Sequence, residues 1–231
     1  MIQVFSGWKA TQFGSPIDLV SNYFDPRSHA GSSALQNIRP ILLIGGVHGD
    51  EPEGIRLAKA LVEAIMAKPN EVYRPFLIIP VLNPDGFKSD QRTNGNGVDL
   101  NRNFPCKNWS AKFEKERYFP GSGPASELET QAVVSLVEQT RPELIIHFHS
   151  WKPMVVLTAD KTVPEAELLA KSSGYKLKNS IGYPTPGSLG DWGWDERNIP
   201  VICTEESEGT SQERTWRRFG SALLEILGQH K

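Results

Sequence analysis

The run Ile41-Leu-Leu-Ile44-Gly45-Gly46-Val-His48-Gly-Asp-Glu51-Pro52 narrows the possible folds more than any other stretch of this chain. Its four apolar residues, rich in isoleucine, read as a short parallel strand buried on both faces, and the glycine pair breaks that strand where the backbone must turn sharply. Pro52 then opens a helix predicted over Pro52 to Ala67, with Ile55, Leu61, Val62 and Ile65 on one face. In open α/β sheets, ligands gather outside the carboxyl ends of such strands. His48 and Glu51 sit in that turn. An imidazole and a carboxylate three residues apart can reach one metal ion from a single turn. The same pair also admits a plainer reading, with Glu51 as a first-turn acid favouring the helix dipole and His48 as an ordinary loop residue.

Further apolar runs, Phe76 to Leu82, Leu144 to Phe148, Met154 to Thr158 and Val201 to Thr204, supply strands that alternate with helical periodicity. Ser126-Glu-Leu-Glu129 reads as a capping box opening a helix through about Gln139. Thr210-Ser-Gln-Glu213 opens the last helix, with Trp216, Phe219, Leu223 and Leu227 inward. The expected fold is therefore α/β, with residues 1–231 forming one domain, since no linker-like stretch divides them. Two stretches, Asn83 to Gly123 and Asn179 to Pro200, are rich in Gly, Pro, Asn and Asp, and loops this long in a compact domain are often functional. The segment before Arg39 carries no functional signal, nor do His29 and His230.

A net charge of -2 gives no electrostatic case for nucleic acid as a partner. No apolar run approaches membrane-spanning length, and the N-terminus lacks a charged segment followed by a long apolar one, so no membrane association and a cytoplasmic location are expected. The two cysteines, Cys106 and Cys203, are too few for a disulfide framework, which agrees with a reducing compartment.

Ile145-Ile146-His147-Phe148-His149-Ser150 ends a second apolar strand with two histidines on one pleat face, either of which could supply a third ligand. Two His and one Glu would leave the fourth position of a zinc ion open to water, the arrangement known from carboxypeptidase A. Between these segments lie Asn83-Pro-Asp-Gly86, Arg92-Thr-Asn94 and Gly97-Val-Asp99-Leu-Asn101-Arg102-Asn103-Phe104-Pro. Near the end comes Cys203-Thr-Glu205-Glu206, where adjacent strand residues point to opposite faces, so only one of the two glutamates can face a metal from regular structure. Cys203 would share the face of Glu205, as a buried packing residue.

The order H-x-x-E, R-x-N, G-V-D-x-N-R-N, His-Ser and late-strand Glu resembles that of the funnelin-type zinc carboxypeptidases, over roughly Ile41 to Glu206. The resemblance implies a mixed twisted sheet between helices and one catalytic zinc ion. It makes His48, Glu51 and His149 the zinc ligands, His149 being preferred to His147 because Ser150 follows it. Arg92 matches the arginine that steadies the oxyanion, and Asn101 and Arg102 match the residues that grip the substrate's terminal carboxylate. Glu205 matches the general base, with Glu206 as the alternative should the strand end be bulged. Asp99 is expected to orient a ligand or brace the loop. Tyr183 falls near the family's closing tyrosine, about one residue out of register.

Within the family the chain looks most similar to the small bacterial murein peptide amidases, through Val81-Leu-Asn83-Pro-Asp-Gly, Asn101-Arg-Asn-Phe-Pro, the Gly123-to-Thr130 segment and Pro184-Thr-Pro-Gly187-Ser188. Resemblance implies hydrolysis of the γ-D-glutamyl–diaminopimelate bond in a small cell-wall peptide. Asp191 is then either the partner of the distal ammonium or a structural loop aspartate. The competing expectations are an acyl-amino-acid deacylase of the succinylglutamate desuccinylase or aspartoacylase type, and a murein-peptide binding protein without turnover.

Overall fold

Eight strands hydrogen-bond into one sheet in the computed structural model, which describes residues 1–26 and 38–228. His29 and His230 lie outside the described residues. In chain order the strands are β1 (Gln3–Ala10), β2 (Pro16–Ser21), β3 (Ile41–Ile44), β4 (Phe76–Ile79), β5 (Leu144–Trp151), β6 (Met154–Thr158), β7 (Leu177–Lys178) and β8 (Val201–Ser207), arranged β1-β2-β4-β3-β5-β8-β6-β7. β4, β3, β5 and β8 run parallel, while β2 and β6 join antiparallel on either side, so the sheet is mixed as expected.

The parallel strands alternate their side chains between two apolar layers. Ile41, Leu43, Ile78, Ile146, Phe148 and Ile202 face one layer, where they meet Leu57, Leu61 and Ile65 of α1 (Pro52–Ala67). Leu169 of a short helix, Pro164–Ser173, and Phe219 and Leu223 of the last helix, Gln212–Gly228, complete that layer. Leu42, Ile44, Leu77, Ile145 and Val201 face the other, against Val133, Leu136 and Val137 of the helix Leu128–Thr140. This second face ends early. Beyond Ile145 and Val201 the helix Leu128–Thr140 gives way to the long loops and the short helical turn Leu189–Asp191, which leave cavities at the two strand ends, and this is where His147, His149, Cys203 and Glu205 emerge.

The turn after β3 is as tight as its glycines require. Gly46 takes a left-handed φ of 62°, and its carbonyl accepts from the Asn83 N–H at 2.8 Å, tying the turn to the loop after β4. Pro52 occupies the first turn of α1, and Glu51, at the N-cap, makes no side-chain cap: its carboxylate is turned toward the two histidines instead.

Three expectations need correction. Ser126 does not cap a helix, which starts two residues later at Leu128; its hydroxyl donates to Glu127 and accepts from Asn103, while Glu129 accepts from Asn94. The loop's demand for partners overrides the capping pattern. Thr210 likewise bonds the Ser207 carbonyl rather than capping the last helix, and Ser211 provides the first acceptors there, with Trp216 only partly buried. The strand from Phe76 stops at Ile79 because Pro80 has no N–H to donate. Among the described residues, no helix is long and apolar enough to cross a membrane.

Candidate zinc centre

The site assembles from three chain segments. β5 and β8 lie in parallel register with His147 beside Cys203 and His149 beside Glu205, so alternation sends all four side chains to the same face of the sheet, the one on which the cavities open. The turn before α1 brings His48 and Glu51 over the same strand ends. Gly54, one turn into α1, lets the helix approach this closely: a Cβ there would collide with the Phe148 carbonyl.

His48 Nδ1 lies 2.7 Å from Glu51 Oε1 and 3.0 Å from His149 Nδ1, and His149 Nδ1 lies 2.6 Å from Glu51 Oε2. All three side chains are buried. Two imidazole nitrogens facing each other beside a shared carboxylate form a donor set that suits one cation. The separations approach the roughly 3.3 Å edge of a tetrahedron built on ~2.0 Å zinc bonds. These residues therefore fit a zinc ion with one open position. The plainer reading of Glu51 as a dipole-favouring acid does not account for a carboxylate bonded to two histidines.

The surrounding residues hold this arrangement in place. The fully buried Asp99 carboxylate meets His48 Nε2 at 3.0 Å, accepts from Arg92 Nε at 2.9 Å and accepts from the Asn101 N–H at 2.9 Å, so it both orients a ligand and braces its loop. Arg92 also reaches Glu51 at 3.2 Å. On the other side, Glu53 accepts from the Ser150 hydroxyl and the Gly209 N–H, joining α1 to the ends of β5 and β8.

These charges set the titration of the site. Burial raises the Glu51 carboxyl, but His48 and His149 outweigh it and hold the group well below the ordinary carboxylate range. Burial and Arg92 depress His48, yet Glu51 and Asp99 prevail and leave it raised. Burial opposes ionisation of Asp99 as well, and Arg92 and His48 overcome it, keeping Asp99 an anion. His147 is pushed well below its usual value by burial and then by the neighbouring histidines, so it stays neutral.

Glu205 differs from Glu51. Burial, followed by the Glu51 charge, pushes its carboxyl up to about 8, and its Oε2 is buried without a hydrogen-bond partner. It lines a cavity of about 200 Å³ together with His48, Glu51, Arg92, Asn101, Arg102, His149 and Tyr183. Glu206 points through the sheet to the opposite layer, where it accepts from Tyr175 and Arg218. β8 carries no bulge at this point, so the structure brings Glu205 to the site and leaves Glu206 out.

A second cavity, of about 440 Å³, opens beside the first and shares Asn101, Tyr183 and Glu205 with it. His147, Cys203 and Asp191 line this cavity. Asp191 accepts from Asn108 at 2.8 Å, and burial raises the Cys203 thiol, in keeping with a packing role. Asn101 Oδ1 accepts from the Leu189 N–H at 2.9 Å, leaving its amide NH2 to offer a ligand. Tyr183, 41% exposed, packs edge-on against Trp151 at the mouth shared by the two cavities.

Two contributors escape the sequence, Glu53 and Tyr118. Tyr118 lies beneath the guanidinium groups of Arg92 and Arg102, 5.3 and 5.7 Å from its ring centroid, and so spaces the two cations. No local pattern signals it, because it comes from a separate stretch of the long loop.

The sequence model of the zinc carboxypeptidase family matches residues 25–218, and the chain belongs to that family. It is accordingly a hydrolase whose cofactor is one zinc ion. Murein peptide amidase A of Escherichia coli (strain K12) is 32% identical over 200 residues, covering 82% of this chain and 79% of that protein. Its counterpart in Vibrio campbellii is 31% identical, covering 82% and 77%. The crystal structure of murein-tripeptide amidase from Escherichia coli O157 superposes with a TM-score of 0.77 at 27% identity, covering 99% of this chain and 92% of that one. Bovine thrombin-activatable fibrinolysis inhibitor shares the fold, with a TM-score of 0.73 at 19% identity and coverage of 99% and 88%.

Proposed function

We propose that this chain, acting as a single catalytic domain, hydrolyses the C-terminal amide of a small murein-derived peptide at the γ-D-glutamyl–diaminopimelate bond. The observation that carries the reading is the juxtaposition of a His–Glu–His donor set with a buried, half-unpartnered Glu205 on the neighbouring strand. The relatives' names support the peptide class.

In this scheme His48, Glu51 and His149 hold the zinc ion, which when bound acidifies water and polarises a carbonyl. Asn101 and Arg102 receive the terminal carboxylate, placing the amide beside Glu205. Glu205 takes a proton from the attacking water and returns it to the leaving nitrogen as the C–N bond breaks. Arg92, fixed by Asp99 and Tyr118, donates to the oxygen that gains negative charge. Tyr183 stands at the mouth to close over the bound peptide. Asp191 meets the distal ammonium of the released residue, a role supported by its place in the larger cavity. The free thiols Cys106 and Cys203 accord with a cytoplasmic location.

Mass spectrometry of digests of L-Ala-γ-D-Glu-diaminopimelate tests the bond: free diaminopimelate is expected, lost on chelation and restored by zinc. Release of acyl groups from acylated amino acids with no cleavage of the tripeptide would favour the deacylase alternative, and binding without cleavage the non-catalytic one. Asp191→Ala is expected to erase the preference for diaminopimelate over lysine; an unchanged preference makes Asp191 a structural loop residue.

A further inference from the structure

His147 has no part in the chemistry above, yet it is buried and its Nδ1 lies 2.8 Å from His149 Nε2. The two rings meet edge-on, with centroids 4.7 Å apart and planes at 89°. At that distance one nitrogen carries the proton and the other accepts it, since two N–H groups repel and two lone pairs leave the contact unmade. His149 turns its Nδ1 toward Glu51 and His48. A ring that binds metal through Nδ1 keeps its proton on Nε2, and that proton points at His147.

We infer that His147 is a positioning residue which accepts the Nε2 proton of His149 and thereby fixes the tautomer and tilt of that zinc ligand. This rests on His149 being a ligand through Nδ1. The two histidines of the site then have unlike supports: His48 leans on the carboxylate of Asp99, 3.0 Å from its Nε2, while His149 leans on the imidazole of His147. Partners of this kind typically account for 10- to 100-fold in metal affinity. His147 also lines the larger cavity together with Glu205.

The test is zinc affinity, read by competition with a chromophoric chelator and independent of any substrate. His147→Leu removes the acceptor and is expected to weaken zinc binding about 10- to 100-fold. His147→Asn can set a side-chain oxygen near the place of Nδ1 and is expected to recover most of that loss. Equal affinity of wild type and His147→Leu would overturn the inference, as would failure of His147→Asn to improve on His147→Leu. Should the leucine variant not fold, imidazole nitrogen NMR of the zinc-loaded wild type decides: a protonated His149 Nε2 with an unprotonated His147 Nδ1 supports the assignment, and the reverse tautomers contradict it. A wild type that binds no zinc would instead refute the zinc centre itself.

Discussion

Replacing Glu205 by glutamine is predicted to stabilise the zinc-free protein while abolishing turnover. In the folded chain, burial and the Glu51 charge raise the Glu205 carboxyl from its ordinary 4.5 to about 8. Below pH 4.5 the group is protonated whether folded or unfolded, and it makes no difference to stability. As pH rises above 4.5, the unfolded chain gains by ionising and the folded chain does not, so wild-type stability falls until about pH 8 and then levels off. At about 1.4 kcal/mol per pH unit, the cost is about 3 kcal/mol at pH 7 and approaches about 5 kcal/mol above pH 8. Glutamine keeps the shape without the titration, so the variant's advantage should be near zero at pH 4 and grow by those amounts. Urea unfolding of both proteins at several pH values in the presence of chelator measures the difference. A gain that is absent, or equal at pH 4 and pH 8, would refute the reasoning. Zinc should shrink the gain, because a nearby cation offsets the cost of burying the carboxylate.

Glu51→Gln replaces one of the three gathered donors and is expected to weaken zinc more than 100-fold, beyond the roughly 10- to 100-fold typical of losing a ligand's partner; retention of zinc through dialysis against chelator would contradict this. Arg92→Lys keeps the charge but loses the fork that spans Glu51 and Asp99, so kcat should fall about 10²- to 10³-fold with KM little changed, and a kcat within tenfold of wild type would count against Arg92. Gly54→Ala drives a methyl group into the Phe148 carbonyl and should cost about 1–3 kcal/mol in urea unfolding; an unshifted midpoint would show that α1 can move away. Asn101→Ala should raise KM for a peptide with a free terminal carboxylate and leave that for its C-terminal amide unchanged, and equal effects on the two would remove Asn101 from carboxylate binding.

The strand-to-helix switch at Gly45-Gly46 was legible because tight turns and prolines act locally, and β5 and β8 because apolar runs mark buried parallel strands. Alternation within β8 also foretold that Glu205 and Glu206 would part company, as they do. The hairpin of β1 and β2 is not legible, since β1 lies at the sheet edge and buries only Phe5 fully, and its apolar residues Val4, Phe5 and Trp8 do not alternate with polar ones across the irregularity between Phe5 and Lys9. Ser126 and Thr210 misled for a different reason. Their capping patterns are sound, but the Ser126 hydroxyl is engaged by Asn103 from a distant part of the loop and the Thr210 hydroxyl by the Ser207 carbonyl three residues before it. Tyr118 and Glu53 brace the site through partners far away along the chain, contacts that no local spacing records.

Hydrolysis of L-Ala-γ-D-Glu-diaminopimelate in ¹⁸O-labelled water by the zinc-loaded protein tests the central claim most directly. Attack of water at the γ-carbonyl predicts one heavy oxygen in the L-Ala-D-Glu product and none in the released diaminopimelate, with both products absent for Glu205→Gln. Undiminished cleavage by Glu205→Gln, or no cleavage by a wild type shown to hold zinc, would contradict it.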